Sequence, residues 1–82
     1  MSIKYIIQER IRMPELPQLL TEWTCTSMTA GTKGNLIRIF EGLIENLKLK
    51  YKVDRVGYYL SCNEGSLQYR VVNKYGQEVR QL

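Results

Sequence analysis

Three short segments of this chain alternate apolar and polar residues with period two, and the alternation sorts charge onto one side. Ile3-Lys4-Tyr5-Ile6-Ile7-Gln8 sets Ile3, Tyr5 and Ile7 together. Arg55-Val56-Gly57-Tyr58-Tyr59-Leu60 does the same for Val56, Tyr58 and Leu60, and Leu67-Gln68-Tyr69-Arg70-Val71 for Leu67, Tyr69 and Val71. Side chains alternate across a β-strand, so each segment has one apolar side to bury. The opposite parity carries Lys4, Arg10, Arg12, Arg55, Arg70 and Arg80, with Tyr59 among them and Glu78 as the only acid. If the strands share a sheet, one face is apolar and the other has a formal charge of +5, against +4 for the whole chain. Such a sheet is covered on one side only.

The covering element is legible too. Leu36, Ile37, Phe40, Leu43, Ile44 and Leu47 recur at helical spacing, while Arg38, Glu41, Glu45 and Lys48 fall off that stripe. The spacing predicts a helix over Leu36 to Lys50 whose residues Ile37, Phe40, Leu43, Ile44 and Leu47 face the sheet. Thr32 is placed to cap its N-terminus, and Lys48, Lys50 and Lys52 carry the sign that a helix C-terminus favours. Gly42 lies inside this helix, where glycine costs about 1 kcal/mol against alanine. It is expected to mark a close approach by another element.

Breakers divide the rest. The first strand runs from Ile3 to Arg12 and stops at Met13-Pro14-Glu15-Leu16-Pro17, because proline lacks the N–H that a strand needs. Leu16, Leu19, Leu20 and Trp23 then suit a brief helix over Glu15 to Trp23, with Trp23 in the core. Thr24-Cys25-Thr26-Ser27-Met28-Thr29-Ala30-Gly31 reads as an irregular, hydroxyl-rich connector. Asn63-Glu64-Gly65-Ser66 and Asn73-Lys74-Tyr75-Gly76 are turn signals that join three strands into a meander, the last strand being Gln77 to Leu82. The expected fold class is α+β, in the order β-α-α-β-β-β. A three- or four-stranded, mostly antiparallel sheet carries one long amphipathic helix on one face.

Size and composition limit the chemistry. Eighty-two residues form one domain, with little room for an internal cofactor cavity. The start has no leader-like apolar run and no stretch is long and apolar enough to span a membrane, so a cytoplasmic protein without a membrane partner is expected. Cys25 and Cys62 are too few for a disulfide framework and read as free thiols. The chain has no histidine, which removes the commonest general base and nitrogen ligand. Glu41 and Glu45 share a helix face, but two carboxylates alone make a poor metal site. Ala30-Gly31-Thr32-Lys33-Gly34-Asn35 precedes the helix without the lysine and hydroxyl that follow the second glycine of a P-loop. The expectation is no catalytic residue, no metal, no cofactor and no enzymatic activity.

What remains is the basic face. Arginine outnumbers lysine there by five to one, which suits bidentate contact with carboxylate or phosphate. Arg55, Tyr59 and Arg70 are expected to form the contact core, with Lys4, Arg10, Arg12 and Arg80 around it. The expected function is that of a small adaptor or inhibitor that binds a protein with an acidic surface. RNA or single-stranded nucleic acid is the alternative partner, since arginine and tyrosine on an open sheet also contact phosphates and bases. A charged face also keeps small β-rich domains from aggregating. In element order and charge the chain resembles the RelE-type mRNA-cleaving toxins, in which helices precede a basic antiparallel sheet. That resemblance implies a ribonuclease, but it brings no catalytic residue with it. The chain is expected to be a monomer, or a homodimer joined through a strand edge or the Trp23 region.

Overall fold

The computed structural model describes residues 3–12 and 20–81. It contains strands β1 (Tyr5–Ile11) and β2 (Thr24–Ala30), helix α1 (Lys33–Lys48), and strands β3 (Val53–Val56), β4 (Tyr59–Cys62) and β5 (Leu67–Asn73). The strands form one five-stranded sheet in the order β2-β1-β5-β4-β3, with every neighbouring pair antiparallel. The α+β class and the single long helix agree with the sequence reading. The strand count and the order do not: two strands precede the helix, giving β-β-α-β-β-β. The element order that suggested the RelE-type toxins is therefore not the observed one.

Helix α1 forms where the stripe predicts it. The Thr32 hydroxyl accepts a hydrogen bond from the Asn35 N–H at 3.1 Å, satisfying one of the donors a helix start leaves unpaired. Leu36, Phe40, Ile44 and Leu47 are buried, and Ile39 and Leu43 pack at the flanks. Ile37, expected to face the sheet, is 41% exposed at the rim. The contact line runs through Leu36 instead, one turn before Phe40. Gly42 also departs from expectation: a side chain there would meet nothing within 4 Å. It lies on the solvent side, and no element approaches it.

The helix covers Ile7, Leu60, Cys62, Tyr69 and Val71 of the sheet, with Ala30 from the end of β2. Phe40 is fully buried and meets Tyr58 edge to face, with ring centroids 5.1 Å apart. Burying one large aromatic among aliphatic side chains stabilises a chain this small substantially.

Two segments depart from the period-two reading. Thr24–Ala30, expected to be irregular, is the edge strand β2. Its hydroxyls serve the neighbouring strand: the Thr26 hydroxyl donates to the Ile7 carbonyl at 2.8 Å, and that of Thr24 to the Glu9 carbonyl at 3.2 Å. The pairing shifts between Ile6↔Thr29 and Gln8↔Cys25, leaving Ile7 opposite Thr26, Ser27 and Met28. This bulge keeps Met28 and Ala30 on the helix side without any regular apolar alternation. The short helix expected over Glu15 to Trp23 lies partly outside the described residues. Within them, Leu20 bridges Arg12 and no helix is formed through Trp23.

The second departure alters the basic face. Arg55 to Leu60 is not one strand but a hairpin, folded at Gly57 and Tyr58. Gly57 has φ +60°, and a Cβ there would overlap the Arg80 carbonyl oxygen, so the position demands glycine. Folding here reverses the chain, and cross-strand partners point to the same side. Arg55 pairs with Leu60 and so joins the helix side; Val56 pairs with Tyr59 and joins the open side. Unbroken period-two alternation through Arg55 to Leu60 predicts the opposite sides for these two residues.

The expected last strand, Gln77 to Leu82, contributes one isolated bridge, Val72↔Glu78. Residues Gln77 to Arg80 lie along β5 in line with β4. The Asn73 N–H donates to the Gln77 carbonyl at 2.8 Å, Val79 N–H to Val71 at 2.8 Å, and Tyr58 N–H to Arg80 at 2.9 Å. This tail continues a sheet row already begun by β4, and the sheet edges are β2 and β3. The turn before it follows from sequence: the Asn73 carboxamide oxygen accepts from the N–H groups of Tyr75 and Gln77, and Gly76 has φ +80°.

Candidate site on the open sheet face

The face opposite the helix is built from β1 and β5, the central pair. Gln8 pairs with Arg70 and Arg10 with Gln68, so these four side chains rise together from adjacent rows. Each arginine is held by the glutamine on its own row's neighbour: Arg10 Nε donates to Gln68 Oε1 at 2.5 Å, and Arg70 Nε to Gln8 Oε1 at 2.8 Å. Tyr59, paired with Arg70, adds a third row.

Trp23 completes the cluster. It immediately precedes β2, and its ring lies 4.4 Å from the Arg10 guanidinium carbon and 4.5 Å from that of Arg70. Its centroid is 6.1 Å from that of Tyr59, in an edge arrangement. The Arg80 guanidinium lies 4.4 Å from the Tyr59 ring centroid. The result is a layer of two aromatic rings interleaved with three guanidinium groups. Cation–π contacts of this kind contribute about 0.5–1 kcal/mol each when exposed and more when desolvated. Their geometric effect is to restrain long side chains that would otherwise be mobile.

The open side is less one-sided in charge than the parity of the sequence implies, because Arg55 leaves it and Asp54, which pairs with Ser61 beside Gln68, joins it. Glu78 sits within it, 3.6 Å from Arg70 Nη1 and paired also with Arg80 Nε. Arg10 makes no ion pair among the described residues. Val56 stands beside Tyr59 on the same side and is 66% exposed, an aliphatic group at the border of a cationic layer.

The site residues named from sequence thus separate into groups. Arg10, Tyr59, Arg70 and Arg80 come together. Lys4 and Arg12 lie at opposite ends of β1: the Lys4 N–H bonds the Ala30 carbonyl, while Arg12 reaches the Glu64 carbonyl in the β4–β5 turn at 3.5 Å. Arg55 is not on this face. Its Nη1 donates to Glu41 of the helix at 2.6 Å and its guanidinium stands 5.3 Å from the Phe40 ring centroid. Trp23, expected in the core from its spacing, is instead central to the open face. Its leucine neighbours at helical spacing concealed this. The usable signal was its position next to a run rich in threonine, a residue favoured in strands.

Two further groups have perturbed titration, both on the helix side. Burial pushes the Cys62 thiol above its ordinary value of 9.0, helped by the negative charge of Asp54. Burial, and then the charge of Glu9 on the paired row, pushes the Tyr69 hydroxyl above its ordinary value of 10.0. Neither belongs to the open-face cluster. Among the described residues, no group of three His, Cys, Asp or Glu is placed to hold a metal ion, and no helix is long and apolar enough to cross a membrane. Comparison with protein-family models, curated proteins and solved structures gives no match.

Proposed function

We propose that this protein is a non-enzymatic binding module that holds an acidic protein surface against the open face of its sheet. The observation that carries this reading is the convergence of Arg10, Arg70 and Arg80 around Trp23 and Tyr59. Arginine, tryptophan and tyrosine are the residue types that dominate binding energy at protein interfaces. Guanidinium groups already held by Gln8, Gln68 and the two rings lose less freedom when they bind. The exposed Val56 favours a protein partner, because an aliphatic side chain packs against other aliphatic groups. Trp23 favours the same conclusion: two guanidinium groups already lie against its ring, which leaves less of it to stack on a base.

The test uses two labelled probes, oligoglutamate and oligothymidylate, titrated into the wild-type protein at low and high salt. Oligoglutamate is expected to bind in a salt-dependent way, and the Arg10→Gln, Arg80→Gln double variant to lose that binding while its circular dichroism is unchanged. Tighter binding of oligothymidylate, with quenching of Trp23 fluorescence, would transfer the face to single-stranded nucleic acid. Binding of neither probe would leave the face a device for solubility.

A further inference from the structure

Among the described residues, Glu78 is the acid that pairs with arginines of the cationic layer, Asp54 standing apart on the edge strand β3, and its placement is specific. Its backbone is fixed by the Val72↔Glu78 bridge and by the hydrogen bond from the Val79 N–H to the Val71 carbonyl. From there its carboxylate reaches both Arg70 and Arg80, one oxygen to each. Arg70 comes from a central strand and Arg80 from the tail, so the two guanidinium groups form a notch with a carboxylate between them. Resting on the proposed binding of an acidic protein, we infer that this notch is the subsite for a partner's aspartate or glutamate side chain. In the free protein Glu78 occupies it as a built-in competitor.

The carboxylate of Glu78 is the group chemically equivalent to what the face is proposed to bind, and it is held by the same donors. Its hold is uneven: Arg80 Nε donates a close hydrogen bond to one carboxylate oxygen, whereas the Arg70 contact with the other is only 3.6 Å, and the side chains of Glu78 and Arg80 are 29% and 53% exposed. Surface pairs that are partly open to water contribute little to stability, so an external carboxylate can displace the internal one without unfolding anything. The Arg80 guanidinium also lies 4.4 Å from the Tyr59 ring centroid, a contact independent of Glu78 that orients it for an incoming group. Arg10, which has no ion pair among the described residues, meets a second carboxylate without such competition. The face therefore offers one arginine held by neutral groups, with no carboxylate on it among the described residues, and one pair that must be cleared of its own carboxylate. That arrangement disfavours a single isolated carboxylate and favours a partner that presents two or more.

The experiment compares oligoglutamate binding by the wild type, Glu78→Gln and Glu45→Gln at physiological ionic strength. Each variant removes one negative charge, but Glu45 lies on the exposed side of the helix. At that salt the screening length is about 8 Å, so a charge on the far side is largely screened. Glu78→Gln is expected to bind about two- to fivefold more tightly than the wild type, because it removes the two partly exposed pairs, with Arg70 and with Arg80, against which an incoming carboxylate competes. Glu45→Gln is expected to be unchanged. Side-chain NMR of the arginine Nε–H groups supplies a second readout. On adding oligoglutamate, the signals of Arg70 and Arg80 are expected to shift in the wild type and less in Glu78→Gln. Shifts at Arg10 and the Trp23 indole with Arg70 and Arg80 unmoved would overturn the notch while leaving the binding face standing. Equal gains in Glu78→Gln and Glu45→Gln would overturn it as well. Absence of binding in all three proteins would overturn both readings.

Discussion

Arg55 Nη1 donates a hydrogen bond to Glu41 Oε1 at 2.6 Å, tying the edge strand β3 to helix α1. The same guanidinium covers Phe40 and donates through Nε to the Gly57 carbonyl at 3.0 Å, so it clasps the β3–β4 hairpin against the helix. With side chains 40% and 50% exposed, the ion pair is well screened, and Arg55→Ala is expected to cost only about 1 kcal/mol or less. Oligoglutamate binding should be unchanged. Loss of binding comparable to that of the Arg10, Arg80 variant would contradict the assignment of Arg55 to the helix side.

Phe40 is fully buried and abuts Tyr58, so truncation removes both its burial and an edge-to-face contact. Phe40→Ala is expected to destabilise the fold by about 3–5 kcal/mol. Urea denaturation followed by circular dichroism measures this directly. A midpoint within error of the wild type would mean that the helix packs on another face.

Gly42→Ala should stabilise the protein. The site is mid-helix, exposed, and open to a Cβ. A gain of about 1 kcal/mol is expected, which raises the melting temperature of a domain this size by about 4–8 °C. A lower melting temperature would show that glycine is required there after all.

At Gly57 the same substitution has the opposite sign. Its φ of +60° is unfavourable for alanine, and the added Cβ collides with the Arg80 carbonyl oxygen. Gly57→Ala is expected to cost about 1–3 kcal/mol and to release the tail from Tyr58. Hydrogen exchange at the Tyr58 amide, which donates to Arg80, should accelerate more than exchange at amides in α1. Since Arg80 belongs to the cationic layer, oligoglutamate affinity should fall as well.

Cys62 makes stability depend on alkaline pH. Burial raises its thiol above the ordinary value of 9.0, so the unfolded chain releases this proton first. A group raised in the folded state contributes fully below its unfolded value and loses that contribution as pH climbs through the folded one. Stability is therefore expected to decline as pH rises past about 9, by up to about 1.4 kcal/mol per pH unit for one group. Tyr69, raised from 10.0 for the same reason, adds a decline that starts about one unit later. Thermal melts from pH 7 to 11 should show a shallower slope in Cys62→Ala, and in the native protein a thiol reagent should label the exposed Cys25 but not Cys62.

The parts of this fold that were legible are those whose signal is local. A helix buries a stripe set by its own 3.6-residue repeat, so Leu36, Phe40, Ile44 and Leu47 announce α1 wherever it packs, and the Thr32 cap lies within one turn of its start. The turns at Asn63 to Ser66 and Asn73 to Gly76 place Asn63, Gly65 and Gly76 at positive φ, which these residue types tolerate and which is also local, although Glu64 shares that conformation without the preference. Gln8, Arg10, Gln68 and Arg70 share a face because strand parity, once begun, continues without a break.

What only the tertiary structure decided is pairing. A period-two pattern cannot tell an extended run from one folded back at Gly57, and that single reversal moved Arg55 to the helix and Val56 to the open face. Thr24–Ala30 shows little alternation because it is a bulged edge strand, with stability drawn from the neighbouring strand rather than from its own burial. Trp23 reads as core because apolar residues precede it, yet its position is set by Arg10 and Arg70, which arrive from β1 and β5. Local repeats determine which residues must leave water; which partners they then meet depends on contacts between segments far apart in the chain, and those leave no periodic trace in either segment.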